Sequence, residues 1–159
     1  FARDKDGVLA GLLLCKAAQH YRSQGKSLLD VLDGLYQKYG YYRESVKNMT
    51  FAGLDGMEKM RQLMTRLREQ PIREAGGFAV TCVEDYQSRK STFEDGRVAD
   101  IALPATDALK LYYEGGAWVC IRPSGTEPKI KIYFAVRGGT AEEAAQRMER
   151  LQAGIEKLV

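Results

Sequence analysis

Three short apolar runs, separated by turn sequences, lie between residues 109 and 136 and constrain the fold more than any other feature. Residues 109–114 and 117–122 are separated by Gly115-Gly116, a dipeptide that readily supplies the positive φ of a tight hairpin turn. Residues 129–136 alternate between apolar and polar side chains, which is typical of a strand with one buried face. We therefore predict consecutive antiparallel strands that pack one face of a sheet against other elements.

Helical patterns precede and follow these predicted strands. Residues 55–70 carry methionines and leucines on one helical face before Pro71, and a capping-box pattern at Thr140 opens a last amphipathic helix. Residues 41–51 and 78–86 are predicted to be extended. Helices and strands thus alternate irregularly along this part of the chain.

The polar stretch 87–107 is the least regular part of the sequence. It contains Gly96 and Pro104 and is predicted to be a long surface loop with room for one short strand. With this loop included, residues 41–159 are predicted to form an α+β domain in which an antiparallel sheet packs against helices.

Residues 1–40 are predicted to form a helical hairpin. The first helix, over 8–21, is apolar on most sides, and the second begins with a capping-box pair, Ser27 and Asp30. Two helices, one of them apolar all round, cannot bury their own surface, so we expect their partner surface to lie upstream of Phe1. The chain is therefore expected to begin inside a domain.

The composition argues against several classes of protein. The chain of 159 residues is 45% apolar and 28% charged, and it lacks the run of about eighteen apolar residues that a membrane span requires. Its formal charge of +3 is small and its basic residues are mixed with acidic ones, which argues against nucleic-acid binding. The single histidine, His20, excludes a histidine-rich metal site and is expected on a helix surface. The dispersed cysteines are predicted to be reduced core thiols: Cys15, Cys82 and Cys120.

The turn between the last two predicted strands has groups that bind phosphate. It offers a planar guanidinium, two hydroxyls, a glycine that lets successive N–H groups turn toward one point, and a stiff proline at each end: Arg122, Ser124, Thr126, Gly125, Pro123 and Pro128. Proline, serine and glycine are also common in ordinary tight turns, so a purely structural turn stays open as an interpretation. The neighbouring Lys129 and Lys131 favour an anion site.

Several segments resemble the α-D-phosphohexomutases. Residues 118–133, with Arg-Pro-Ser-Gly-Thr-Glu-Pro-Lys at 122–129, are similar to the signature of that family's last domain. Residues 3–8, Arg-Asp-Lys-Asp-Gly-Val, look like a third-domain segment that follows the family's sugar-recognition loop. The resemblance covers essentially the whole chain. It implies that residues 1–40 end domain 3 and that residues 41–159 form domain 4, whose fold is similar to that of the TATA-binding protein.

The resemblance also implies a reaction. In that family four domains surround one cleft, and a phosphoserine exchanges its phosphoryl group with a sugar phosphate through a bisphosphate, which interconverts hexose 1-phosphate and hexose 6-phosphate. Residues 28–42 look most like the branch of phosphoglucomutases that includes phosphopentomutases. The resemblance therefore implies a cytoplasmic isomerase that uses Mg²⁺ and a sugar bisphosphate activator. The phosphoserine, metal and sugar loops of the family match nothing in this sequence, so the chain alone is expected to bind no metal and to be inactive.

The resemblance assigns roles to particular residues. The loop would hold the phosphate that is not being transferred, and the residues that match the family's phosphate-binding positions are Arg122, Ser124, Gly125, Thr126 and Lys131. Many relatives have arginine in place of Lys131. Lys5 matches a family lysine in the cleft near the sugar and is the catalytic candidate. Without the resemblance, Lys5 would be interpreted as a solvated residue before a helix.

Two other functions stay open. A sheet of this layout could bind nucleic acid, but that function requires a basic face with exposed aromatic rings, and no run of lysine or arginine surrounds Tyr112, Tyr113 and Tyr133. The chain could also be a stand-alone interaction module. The expected partners are a sugar phosphate and the upstream domains of the same chain, with neither nucleic acid nor membrane.

Overall fold

The computed structural model describes residues 5–159, and the chain divides into two units, the first ending at Tyr41 and the second beginning at Tyr42. Arg3 and Asp4, the first two residues of the family-like segment 3–8, thus lie outside the described residues. Among those described, no helix is long and apolar enough to cross a membrane.

The first unit is a hairpin of two helices, α1 (Gly7–Arg22) and α2 (Leu28–Tyr39). The predicted capping box is confirmed, because the Asp30 N–H donates to Ser27 Oγ at 3.1 Å and the Ser27 N–H donates to Asp30 Oδ2 at 2.7 Å. Gly40 ends α2 with a φ of 97°, which a residue with a side chain rarely adopts. Local signals therefore fix both ends of α2.

Within the described structure, neither helix of the first unit has a buried residue. Val8 is 87% exposed and Leu29 is 72% exposed. His20 is exposed, as predicted, whereas Cys15 is exposed and was wrongly predicted to lie in a core. An isolated hairpin of two helices has no third layer that could cover these side chains.

The second unit contains eight strands and two helices, and β1 starts at the boundary between the units. In chain order they are β1 (Tyr41–Thr50), α3 (Gly56–Glu69), β2 (Glu74–Ala75), β3 (Phe78–Asp85), β4 (Lys90–Phe93), β5 (Val98–Asp100), β6 (Leu109–Tyr113), β7 (Trp118–Pro123), β8 (Lys129–Gly138) and α4 (Ala141–Glu156). The sheet order is β1-β8-β7-β6-β3-β4-β5, and β2 pairs with β3 outside this path. The paired strands from β8 to β5 are antiparallel.

One face of the sheet forms the core. Alternate residues of the central strands are buried on it, among them Val119, Ile121, Ile132 and Phe134, each at most 3% exposed. The apolar stripes of α3 and α4 are buried in the same cluster, which includes Met64 and Leu151. The predicted α+β class, an antiparallel sheet packed against helices, is confirmed. The other face of the sheet is left uncovered by α3 and α4.

The structure corrects three details of the sequence interpretation. The polar stretch 87–107 contains two short strands, β4 and β5, instead of one at most, and β2 was not predicted. The Gly115-Gly116 turn is a longer connection over residues 114–117, in which both glycines have positive φ as expected. Thr140 caps α4, but the Glu143 carboxylate accepts from the Gly139 N–H at 2.7 Å instead of from the cap residue.

Candidate phosphate site

The candidate loop, Ser124 to Pro128, joins β7 to β8 at the end of an antiparallel hairpin. Arg122 pairs with Lys131 and Pro123 pairs with Ile130 in the strand register. The hairpin is closed by the Ser124 N–H, which donates to the Lys129 carbonyl at 2.8 Å. Two regular strands therefore fix both ends of the loop, and few residues remain free to move.

Ser124 organises the interior of the loop. Its Oγ accepts hydrogen bonds from the N–H groups of Thr126, at 3.4 Å, and of Glu127, at 3.3 Å. Both bonds are long for N–H···O contacts, so they are weak. Two backbone donors thus converge on one oxygen atom, an arrangement that also suits an oxygen of a bound anion.

Gly125 contributes open space to the loop and not an unusual backbone conformation. Its φ lies outside the positive range that favours glycine, and no described heavy atom beyond Gly125 and its two chain neighbours lies within 4 Å of the position that a Cβ would take. Gly125 and Thr126 are both exposed. The convergence of N–H groups that the sequence attributed to Gly125 is produced in the structure by the Ser124 hydroxyl.

Arg122 and Lys131 lie side by side at the base of the loop. They are direct partners across β7 and β8, on the uncovered face of the sheet, and both are exposed. Like charges at opposed positions of neighbouring strands repel each other. Within residues 5–159, no carboxylate forms a salt bridge with either side chain. A bound anion would therefore relieve a repulsion that the strand register creates.

Lys129, by contrast, is neutralised inside the loop. Its Nζ lies 2.7 Å from Glu127 Oε2, and this hydrogen bond, together with the positive charge, lowers the pKa of Glu127 below its ordinary value. The pair leaves Arg122 and Lys131 as the two cations available for an anion at this end of the sheet.

Lys5 is the remaining predicted site residue. It lies in the first unit, two residues before α1, and it is exposed. The geometry of the second unit therefore brings together the phosphate-binding candidates Arg122, Ser124, Gly125, Thr126 and Lys131, whereas Lys5 belongs to the other unit.

Sequence reasoning missed a polar cluster on the same uncovered face. Glu84 Oε2 accepts from the Tyr86 hydroxyl at 2.7 Å and from the Tyr112 hydroxyl at 3.2 Å. Lys110 Nζ lies 4.6 Å from the ring centroids of both Tyr112 and Trp118. Strand alternation could have placed Lys110 and Tyr112 on one face, but their partners on β3 and β7 depend on register.

The cysteines and acidic residues suggest no metal chemistry in the described part of the chain. No cluster of three or more histidine, cysteine or acidic side chains there could hold a metal ion. Cys82 is buried and Cys120 is half-buried on the uncovered face, and burial raises the pKa of each thiol. Both therefore stay protonated near neutral pH.

Known proteins with similar sequences match most of this chain. The model of the phosphoglucomutase/phosphomannomutase C-terminal domain matches residues 72–153, a range that includes the candidate loop. A phosphoglucomutase of Staphylococcus epidermidis is 33% identical over 149 residues, which is 93% of this chain and 27% of the relative. One from Staphylococcus aureus is 32% identical over 152 residues, which is 95% of this chain and 27% of the relative.

A solved structure has the same fold. The open form of parafusin, a phosphoglucomutase from Paramecium, matches 98% of this chain and 26% of its own chain, with a TM-score of 0.58 and 19% identity. The present chain thus spans about a quarter of the length of the relatives it matches. Because the family model covers more than half of its residues, the chain belongs to the phosphoglucomutase/phosphomannomutase family, in which it corresponds to the C-terminal domain and the segment before it.

Proposed function

We propose that this chain is the C-terminal part of a phosphohexomutase and that its Ser124–Pro128 loop binds the phosphate group that is not being transferred. The observation that carries the proposal is the pair of cations at the base of the loop, Arg122 and Lys131, which face each other without a carboxylate partner among the described residues. The converging N–H groups of Thr126 and Glu127 support the same assignment. A phosphate carries enough charge and oxygen acceptors to satisfy both sets of donors.

The reaction we propose for the whole enzyme interconverts a hexose 1-phosphate and a hexose 6-phosphate. A phosphoserine gives its phosphoryl group to the free hydroxyl of the sugar phosphate, and the other phosphate of the resulting bisphosphate then returns to the serine. The sugar must present each end in turn to the serine, so one phosphate always lies away from the reacting centre. A fixed site for that phosphate orients the reacting end, because remote binding energy offsets the entropy of positioning.

This chain would supply binding and orientation, and the chemical step would take place elsewhere. Mg²⁺ is the metal expected for the family, but residues 5–159 offer no cluster of ligands that fits a metal ion. The metal, the phosphoserine and the groups that choose the sugar are therefore assigned to the upstream domains. Residues 1–40 would end the third domain, where Lys5 would contact the sugar, and residues 41–159 would form the fourth. The enzyme is expected to be cytoplasmic.

The decisive test is Arg122→Ala in the full-length mutase. A hydrogen bond to a charged group contributes about 1.5–3 kcal/mol, so kcat/KM for glucose 1-phosphate should fall roughly 10- to 150-fold. Arg137→Ala is the matched control, because Arg137 is also exposed on β8 but lies six residues beyond Lys131, about 20 Å along the strand. The control should keep kcat/KM within about twofold. An Arg122→Ala enzyme with unchanged kcat/KM would exclude the proposed role.

Nucleic-acid binding has one observation in its favour. The uncovered face combines Lys110, Arg122 and Lys131 with the rings of Tyr112 and Trp118, a grouping that the sequence alone did not suggest. However, Lys110 already lies over both rings, so stacking of bases on those faces would compete with this contact. Salt-sensitive retention of single-stranded DNA by the chain would support this second function, and elution at low salt would exclude it.

A further inference from the structure

A corner between β1 and α3 lies directly behind the candidate loop. The Phe51 N–H, just after β1, donates to the Pro128 carbonyl at 2.8 Å. Phe51 is half-buried and packs against the main core cluster. Because Pro128 is the last loop residue before β8, this bond ties the end of the loop to a segment far away in the sequence.

Gly56 fills the space between this corner and the loop. It is the first residue of α3 and it is buried. A Cβ at position 56 would lie 2.3 Å from the Phe51 carbonyl oxygen and 3.0 Å from Pro128 Cβ. The first distance is far below any normal contact and involves backbone, so an added methyl group would have to displace the corner, the loop or both.

We propose that Gly56 is a positioning residue for the phosphate loop, an inference that rests on the function proposed above. The hydrogen bond from Phe51 couples the corner to Pro128, so a displacement of the corner would also move the end of the loop. From Pro128 the displacement reaches the donors through Lys129, whose carbonyl accepts from the Ser124 N–H and whose N–H donates to the Glu127 carbonyl at 2.7 Å.

This coupling should affect binding more than overall stability. The loop donors act by being held in place before the ligand arrives, and small displacements of such donors weaken binding strongly. A bulkier residue at position 56 should therefore weaken phosphate binding beyond what any loss of stability would cause. A glycine with an equally close backbone neighbour elsewhere in the same unit provides the comparison.

The chain offers such a control in Gly154. A Cβ there would lie 2.2 Å from the Gly76 nitrogen, in the contact between α4 and the β2–β3 turn. Gly154 lies inside α4, where alanine is intrinsically favoured over glycine by about 1 kcal/mol, whereas Gly56 is the first residue of α3. The two substitutions share the backbone clash, and they differ in the contact with the loop.

The experiment measures the dissociation constant of inorganic phosphate by calorimetry for the full-length mutase and its Gly56→Ala and Gly154→Ala variants, below their unfolding temperatures. Gly56→Ala is expected to raise this constant at least fivefold, whereas Gly154→Ala should change it less than twofold even if it lowers the unfolding temperature as much. Equal constants for the two variants would overturn the proposal.

Two further variants keep the outcome unambiguous. Should Gly56→Ala fail to fold, Pro128→Gly is the second variant, because it removes the ring next to position 56 and keeps the carbonyl that accepts from the Phe51 N–H. This variant should raise the constant at least threefold, and an unchanged constant would refute the positioning role. Arg122→Ala is measured in parallel. If Arg122→Ala leaves phosphate binding unchanged, the proposed function itself fails. If it weakens binding and Gly56→Ala does not, only the positioning role fails.

Discussion

Replacing Arg68 with methionine should destabilise the second unit by about 1–3 kcal/mol. Arg68 lies near the end of α3, where its Nε donates to Asp85 Oδ1 at 3.2 Å and its Nη2 donates to Asp107 Oδ1. These contacts connect α3 to the end of β3 and to the segment before β6, at the same end of the sheet as the phosphate loop. Methionine keeps much of the apolar stem and removes the charge.

The magnitude follows from the burial of the three partners. The side chains of Arg68 and Asp85 are each 21% exposed, whereas that of Asp107 is 48% exposed. Exposed pairs contribute at most about 1 kcal/mol, and loss of one partner of a fully buried pair costs about 3–5 kcal/mol. The Arg68–Asp85 pair lies between these limits, and Asp107 adds little because water screens it.

Urea unfolding of the chain measures this free energy directly. Trp118 is the single tryptophan and lies in β7, so its fluorescence reports on the unit that contains Arg68. A double-mutant cycle with Asp85→Asn isolates the coupling between the two side chains. If the two single substitutions are additive within about 0.3 kcal/mol, the pair contributes nothing and the reasoning is refuted.

The same pair predicts a dependence on pH. Burial opposes ionisation of Asp85, but hydrogen bonds from Ser88, Arg68 and Gln87 outweigh it and hold its pKa below the ordinary value of 3.8. A carboxyl group whose pKa is lower in the folded state than in the unfolded state stabilises the fold at pH values above its unfolded-state pKa. This stabilisation is lost as the pH falls through the folded-state pKa. The difference in unfolding free energy between wild type and Arg68→Met should therefore be constant near neutral pH and shrink below about pH 4. A difference that stays constant down to pH 2.5 would contradict this.

Two further substitutions test the packing and the first unit. The Leu151 side chain is 0% exposed, so Leu151→Ala should lower the unfolding free energy by about 2–5 kcal/mol. Leu54 is fully exposed, so the control Leu54→Ala should lower it by less than about 0.5 kcal/mol, and equal effects would argue against the described core. Ser27→Ala removes the capping box of α2 and should lower the stability of that helix by about 1 kcal/mol. On heating, the helical circular-dichroism signal of the variant should be smaller than that of wild type. An unchanged melting curve would exclude a role for the cap.

Much of the fold could be predicted because its signals are local. The capping pairs at Ser27 and Thr140 begin α2 and α4, and the alternation after Lys129 correctly identified the buried face of β8. The sequence predicted at most one of the two short strands β4 and β5, because polar residues dominate them and a single residue, Ser91, is buried. Such strands are stabilised by pairing with neighbouring strands, and their own sequence shows little alternation of apolar and polar residues.

The composition of the phosphate site was also readable from the sequence, because its donors lie within ten consecutive residues, 122–131. The contacts that hold the site in place could not be predicted from the sequence. The register places Lys131 beside Arg122, and packing places Phe51 and Gly56 behind Pro128. A register shift of one residue would move Lys131 to the other face of the sheet without any change in local sequence.

The sequence by itself therefore determined the elements, their caps and the chemical groups of the loop, since each depends on residues a few positions apart. Only the tertiary structure decided which cations remain without a carboxylate partner among the described residues and which distant segment holds the loop. These properties depend on contacts between residues far apart in the chain, and such contacts are fixed by strand register and close packing rather than by local preference.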